Sequence, residues 1–326
     1  MLDLLSVRIE QMPTPPDISN PAFWKEEPTA CPVCGASSRK QLGRRGGDAH
    51  RSGLGTPAHI VRCKECHLVY AYPTLKPLGN PYAAFEGAEY FASYELDAQL
   101  DSGRRFIAKA EQLLGRKGRL LELGCGRGEL LGVAAENGWT VAGVEMTPQF
   151  ALAATARGIK IETSSVEESA FLDTEASFDV ICLAAILEHL YDPVLCLQRI
   201  EKALVPGGLV FIDVPNECSV RTKLGNLYMR LRGRDWVTNL SPTFSPFHVV
   251  GFCPTSLKHA LAAAHLEIAE LSVVRWPDAL GGGSGFWGAV EGGASRVVNR
   301  VAGLWGDGDG IVCWARKSVG TQTPTE

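Results

Sequence analysis

The sequence is short of positive charge. Thirty-two Lys and Arg stand against 36 Asp and Glu, giving a formal net charge of −4 and an isoelectric point near 6.0. That balance argues against a dedicated nucleic-acid binder, which carries a basic field. Long apolar runs are missing too. The longest, around Asp179 to Leu190, is broken by Glu188 and His189 and is too short to cross a bilayer. Met1 to Pro16 carries Asp3, Arg8 and Glu10 and ends in prolines. It lacks the basic start, apolar middle and small-residue cleavage site of a secretory signal. No internal repeat and no long low-complexity tract occurs. These absences set the expectation of a cytoplasmic protein with neither a membrane nor a nucleic acid as partner.

What is present is globular in composition. Of 326 residues, 45% are hydrophobic and 21% charged, enough for one large domain and a smaller one. Six of the ten cysteines (Cys125, Cys182, Cys196, Cys218, Cys253 and Cys313) are scattered, several within apolar runs. There a free thiol behaves as a small hydrophobe. The other four form two C-x-x-C knuckles, "CPVCG" from Cys31 and "CKECH" from Cys63. Two such turns supply four thiolates, the tetrahedral set of structural zinc. Cys31, Cys34, Cys63 and Cys66 are therefore the expected metal ligands, with His59 or His67 as possible replacements for one of them. A disulfide is disfavoured in a cytoplasmic chain, and a redox C-x-x-C accompanies a β-α-β pattern, which these knuckles precede. Thr29 to Tyr70 holds seven Arg/Lys and two Asp/Glu, read as a solvated surface rather than an RNA-binding patch.

The segment "GRLLELGCGRGEL" reads as strand, tight turn and helix. Leu120, Leu121 and Leu123 form the strand; Gly124, Gly126 and Gly128 let the backbone turn sharply and approach a ligand closely. A dinucleotide-binding loop is G-x-G-x-x-G, whereas this one is G-x-G-x-G, with Glu129 at the third glycine's place. A second strand, "WTVAGV", ends at Glu145, an acid suited to ribose hydroxyls in nucleoside and NAD binders alike. The alternation continues through "GIKIE", a fourth strand (Asp179 to Ala184), a helix, the Pro206-Gly207-Gly208 turn and a fifth strand (Leu209 to Val214). It implies an α/β fold with a parallel sheet covered on both faces. Ligands of such sheets bind beyond the carboxyl ends of the strands.

G-x-G-x-G, the acid at Glu145, L-E-H-x-x-D-P (Leu187 to Pro193) and P-G-G together resemble class I S-adenosylmethionine (SAM)-dependent methyltransferases over Leu120 to Leu271. The resemblance implies a Rossmann-like sheet that ends in an antiparallel hairpin, here Leu271 to Trp276 with Ile311 to Arg316. It implies SAM contacts from Glu122, Gly124, Cys125, Gly126, Gly128, Glu145, Met146, Ser165, Val166, Leu183 and Ala184. Tyr90, before the first strand, would cover the cofactor. His189 and His248 are the candidate acid-base residues, because a hydroxyl or acidic carbon acceptor must lose a proton. The cysteine module followed by this domain also resembles the nucleotide-sugar C-methyltransferases. Phe247 stands where those carry a glutamate beside their histidine, and the chain stops without their additional C-terminal domain. The ubiquinone-type and RNA-end methyltransferases bind a divalent metal through E-x-x-E-H; Ala185 replaces the first glutamate here.

"SVRTKLGNLYMRLRGRDW" places Val220, Leu224, Leu227, Tyr228 and Leu231 at helical spacing. It reads as a lid, its apolar stripe packed inward and its arginines solvated. Arg230 and Arg234 are the candidates for an anionic acceptor, with Phe247 beside them. Val297, Val298, Val301, Leu304 and Trp305 suggest a last helix after a glycine-rich connector. The expected organisation is an N-terminal arm (1–28), a zinc module (29–80), a helical connector covering the cofactor (81–118) and a methyltransferase domain (119–318). That domain carries a lid insertion (215–250), and a disordered tail (319–326) follows. The expected function is methylation of a small biosynthetic intermediate, at oxygen first and carbon next. A zinc-ribbon RNA base methyltransferase, which requires salt-sensitive RNA binding, and a catalytically silent SAM-binding assembly partner are the other readings. The sequence leaves the oligomeric state open.

Overall fold

The computed structural model describes residues 17–84, 96–275 and 307–319. The first strand, β1 (Trp24–Glu27), pairs antiparallel with β5 (Thr74–Pro77). Between them lie β2 (Arg39–Arg45), β3 (Ala58–Cys63) and β4 (Val69–Ala71), joined as consecutive antiparallel neighbours. Helix α1 (Leu96–Leu114) leads to a second sheet. Its parallel part is β6 (Arg119–Leu123), β7 (Thr140–Val144), β8 (Lys160–Glu162), β9 (Phe178–Ala184) and β10 (Leu204–Pro215). Helices α2 (Glu129–Glu136), α3 (Pro148–Ala156) and α4 (Pro193–Ala203) make the crossovers. Then come α5 (Val220–Leu231), the two-residue β11 (Val250–Gly251), α6 (Pro254–Ala263), β12 (Leu266–Val274) and β13 (Gly310–Lys317).

The larger sheet has the order β12-β13-β10-β9-β6-β7-β8. β13 runs antiparallel to both β10 and β12, the hairpin expected from the sequence; β12 begins earlier than read, at Leu266. The Pro-Gly-Gly segment is not a free turn. It forms an irregularity inside β10, where pairing with β9 shifts register between Leu204 and Leu209 and Gly207 takes φ +78°. β9 is buried at every position but its last, as a central parallel strand must be. Its side chains alternate between two cores. Ile181 and Leu183 pack with Leu121, Leu123 and the inner face of α4, while Val180 and Cys182 pack with Leu120, Phe106 of α1 and Trp314. α4 starts cleanly: Asp192 accepts the Leu195 N–H at 2.9 Å and Pro193 occupies the first turn.

The small sheet is completed by the other half of the chain. β11 pairs with β4, Val250 opposite Tyr70 and Gly251 opposite Val69. The insertion after β10 is fastened alongside. Arg44 bonds Asp235 at 2.8 Å, Val237 N–H donates to the Arg44 carbonyl at 3.0 Å, and the Thr243 hydroxyl donates to the Thr56 carbonyl at 2.6 Å. Cys31, Val61, Leu68 and Tyr70 share a continuous core with Phe252, Leu257 and the strands of the large sheet.

Helix α5 forms over the predicted residues, but its stripe is not packed inward. No residue of α5 is buried, and Leu224, Leu227, Tyr228 and Leu231 are 41%, 49%, 43% and 78% exposed. The helix is held by its opposite, small and polar face. Thr238 N–H donates to the Asn226 amide oxygen at 2.8 Å, and a Cβ on Gly225 would come within 3.0 Å of Thr238. Hydrogen bonds won this orientation, because only a small-residue face lets the 238–239 backbone approach so closely. The expected last helix (Val297 to Trp305) and Tyr90 lie outside the described residues, as does the tail beyond 319.

Candidate active site

Four cysteine sulfurs converge near the N-terminus. Cys31 Sγ lies 3.5 Å from Cys66 Sγ, and Cys34 Sγ 3.5 Å from Cys63 Sγ; all four fall within 4.8 Å of one another. Four thiolates bound to zinc at ~2.3 Å would be about 3.8 Å apart, so the spacing suits a tetrahedral ion. The knuckles are backbone turns: Gly35 N–H donates to the Cys31 carbonyl at 2.9 Å, and Cys63 N–H to the Leu68 carbonyl at 2.8 Å. Neither histidine offered as a replacement belongs to the cluster among the described residues. His59 Nδ1 faces the Gln41 amide at 3.3 Å on the surface.

The glycine loop leaves β6 at Leu123. Gly124, Gly126 and Gly128 have φ of +70°, +51° and +71°, the left-handed region that glycine alone adopts without cost. Gly124 is required twice over, since a Cβ there would lie 2.1 Å from Ile186 Cδ1. Beside the loop, at the end of β7, the Glu145 carboxylate accepts the Gly126 N–H at 3.0 Å and the Thr147 N–H at 2.8 Å. Burial raises its pKa, opposed by the backbone N–H groups of Thr147, Gly126 and Met146. A carboxylate offers about four acceptor positions, so two remain for a pair of vicinal hydroxyls. Met146 is half-buried next to it, and Ser165 and Val166 open a 3₁₀ turn beyond β8. Cys125 lies two residues past β6 and Leu183 near the end of β9. Their side chains are core residues, 5% and 0% exposed, so only their backbone can face a ligand; Ala184 is exposed.

The strand ends gather acids that lack partners. Glu122 Oε2 and Asp213 Oδ1 are buried without a hydrogen bond among the described residues. Burial raises Glu122 well above the carboxylate range, and the Glu129 and Glu145 charges add to it; burial lifts Asp213 to about 6. Unpaired buried acids are costly, and a cationic ligand would relieve that cost. SAM, with its sulfonium and ammonium groups, fits this environment, and its two ribose hydroxyls fit the open positions on Glu145.

The two candidate histidines meet around a residue that the sequence reading did not select. Glu188, in a 3₁₀ turn (Leu187–His189), is 1% exposed, and neither carboxylate oxygen has a hydrogen-bond partner among the described residues. Its Oε1 lies 3.8 Å from His248 Nε2 and 4.0 Å from His189 Nε2, and the imidazole centroids are 4.9 Å apart. His189 Nδ1 bonds the Tyr82 hydroxyl at 3.0 Å and the Phe247 carbonyl at 3.2 Å. That leaves its Nε2 toward Glu188. Burial lifts Glu188 to about 8 and holds His189 down at about 4 and His248 at about 3. At neutral pH the trio is thus an un-ionised acid between two neutral imidazoles. Its ligand atoms fall within 4.8 Å of one another, as a metal would also require. The signal for Glu188 was its place in L-E-H, directly before the candidate His189.

Of the remaining acceptor candidates, Phe247 meets this cluster through its carbonyl, and Arg230 and Arg234 are not brought to it. Phe247 is 4% exposed and packs against Tyr82 at 5.1 Å and Trp24 at 6.5 Å, forming a wall behind His189. Arg230 reaches the Leu42 carbonyl at 3.4 Å, and Arg234 stacks 4.2 Å over Trp236. Arg230 lies in the last turn of α5 and Arg234 three residues past its end, at least about 15 Å along the helix from where it begins. The physical reason is the direction of α5, which its small polar face fixes.

A parallel sheet with an antiparallel β13, a glycine loop and an acid at the second strand end define the class I methyltransferase architecture. Residues 93–271, more than half the chain, match the family described as a methyltransferase domain; the chain belongs to that family. Among curated relatives, it is 36% identical over 160 residues to a ubiquinone biosynthesis O-methyltransferase of Idiomarina loihiensis, covering 48% of this chain and 63% of that protein. The protein of the same name from Paracidovorax citrulli is 25% identical over 158 residues, 47% of this chain and 64% of the relative. The chain thus spans slightly under two thirds of the length of these two relatives. A solved SAM-dependent methyltransferase from Archaeoglobus fulgidus aligns with TM-score 0.47 and 19% identity, over 71% of this chain and 97% of that one.

Proposed function

We propose that this protein transfers a methyl group from SAM to an oxygen of a small biosynthetic intermediate, with a structural zinc ion in its N-terminal module. The observation that carries the cofactor reading is Glu145, anchored by two backbone N–H groups beside the glycine loop and left with acceptor positions open. Oxygen as acceptor follows from the printed name of the curated relatives and from the presence of a base, which a hydroxyl requires. When bound, SAM supplies an electrophilic methyl on a sulfonium.

The chain's own residues then have separate tasks. Glu145 holds the ribose, and the glycine loop brings bare backbone against the cofactor's tail. Ser165, Val166 and Met146 flank the adenine. His248 accepts the acceptor's proton at Nε2. Glu188, beside it, offsets the positive charge that develops on the ring by passing its own proton to His189 Nε2, 4.0 Å away, and His189 is held for this by Tyr82 and Phe247 at its Nδ1. Apolar packing around the trio excludes water. The four cysteines hold the module on which the His248 loop rests through β4 and β11.

Isothermal titration with S-adenosylhomocysteine tests the cofactor reading. Wild-type protein takes up one equivalent and Glu145→Ala does not. Absence of uptake by the wild type, or unchanged uptake by the variant, rejects it. Transfer of labelled methyl to phenolic acceptors, lost in His248→Ala with cofactor uptake intact, tests the chemistry.

A further inference from the structure

We propose that α5 is a docking element for an anionic membrane surface. The observation is its inverted amphipathicity. At 100° per residue, Val220, Leu224, Leu227, Tyr228 and Leu231 occupy one arc about 100° wide. Thr222, Gly225, Asn226 and Met229 occupy the opposite side. A helix on a globular surface turns its apolar arc inward. Here the polar arc is inside, bonded through Asn226 to Thr238 at 2.8 Å and to the Asn239 side chain at 2.6 Å. The apolar arc faces out, with Leu231 78% exposed.

The charges around the arc choose the occupant. Ser219 to Arg234 contains five cations (Arg221, Lys223, Arg230, Arg232 and Arg234) and no acid, in a chain whose net charge is −4. Lys223 and Arg230 border one side of the arc, and Arg221, paired with Asp309 at 3.4 Å, the other. Leucines and a tyrosine flanked by cations match the boundary between lipid headgroups and acyl chains. A second copy of the same face would set cation against cation. A nucleic acid would leave the leucines without a partner. At about 18 Å the helix lies in the interface and does not span it. Among the described residues no helix is long and apolar enough to cross a membrane, so this contact is peripheral. It departs from the sequence-based expectation of no membrane partner, and it stands whether or not the protein is a methyltransferase.

Co-sedimentation of the full chain with vesicles tests it. The protein should bind vesicles of phosphatidylcholine mixed with phosphatidylglycerol and not phosphatidylcholine alone, with binding weakened by salt. Lys223→Gln/Arg230→Gln should lower the partition coefficient about fivefold per cation removed. Leu227→Ser/Leu231→Ser should abolish binding with an unchanged circular dichroism spectrum, since neither leucine is buried. Failure to bind anionic vesicles overturns the proposal. So does binding that the leucine variant leaves intact, a dimer that the leucine variant dissociates without any vesicle binding, or retention on RNA without retention on vesicles.

Discussion

His248 and Glu188 are joined twice. The imidazole Nε2 of His248 lies 3.8 Å from Glu188 Oε1, and the next residue, Val249, donates its N–H to the Glu188 carbonyl at 2.9 Å. Side chain and main chain together fix a loop histidine, sixty residues downstream, against the turn that follows β9. Replacing His248 by Ala should lower kcat by about 10²–10⁴, the usual contribution of a positioned base, with the dissociation constant for S-adenosylhomocysteine unchanged. Steady-state kinetics beside titration calorimetry separates the two. Glu188→Gln keeps shape and removes ionisation, so it should lower kcat and spare KM.

The same trio writes a signature into stability. Glu188 titrates near 8 in the folded protein, above its unfolded value, so the folded state holds the extra proton between about 4.5 and 8. Its contribution falls as pH rises through that window. His189 and His248, depressed to about 4 and 3, act oppositely, and their contribution rises with pH up to about 6.5. Between about 6.5 and 8 only Glu188 of the three still changes. Thermal melting should show a decline there that Glu188→Gln removes; an identical slope in the variant refutes the assignment.

Glu145→Ala should weaken S-adenosylhomocysteine binding by at least about tenfold, since hydrogen bonds to a charged group contribute roughly 1.5–3 kcal/mol each. Calorimetry reads the loss directly. Glu145→Gln should fall between, because it keeps one acceptor oxygen.

Gly124→Ala should destabilise the fold by about 1–3 kcal/mol. The new Cβ meets Ile186 at 2.1 Å and sits on a left-handed backbone. A paired Ile186→Val change should recover part of the lost melting temperature and distinguish the clash from the backbone strain.

Mass spectrometry under native conditions should find one zinc per chain, lost on Cys31→Ser or chelation. Because β4 holds β11 and Arg44 holds Asp235, metal loss should speed proteolysis within residues 215–250 ahead of the large sheet. Metal-free protein with unchanged cleavage would count against that coupling.

Much of the large sheet was readable because its rules are local. Apolar runs such as Asp179 to Ala184, glycine at left-handed positions and Asp192-Pro193 before a helix act within a few residues. An acid just past β7 is likewise a matter of spacing. Glu188 was harder to read because its importance comes from being buried between two histidines, a relation across sixty residues. Which face the side chains of Cys125 and Leu183 take was hidden for the same kind of reason. Motif position locates the backbone, whereas strand alternation decides which face a side chain takes.

The amino-acid order by itself settled the alternation of strands and helices, the glycine loop and the pairing of two cysteine knuckles, because each rests on neighbouring residues and their allowed backbone angles. Only the tertiary structure decided that the cysteine module and the His248 loop share one sheet, and that α5 turns its leucines outward. Both outcomes depend on contacts between distant segments. There, backbone hydrogen bonds to β11 and Thr238 outweighed the burial that periodicity alone would favour.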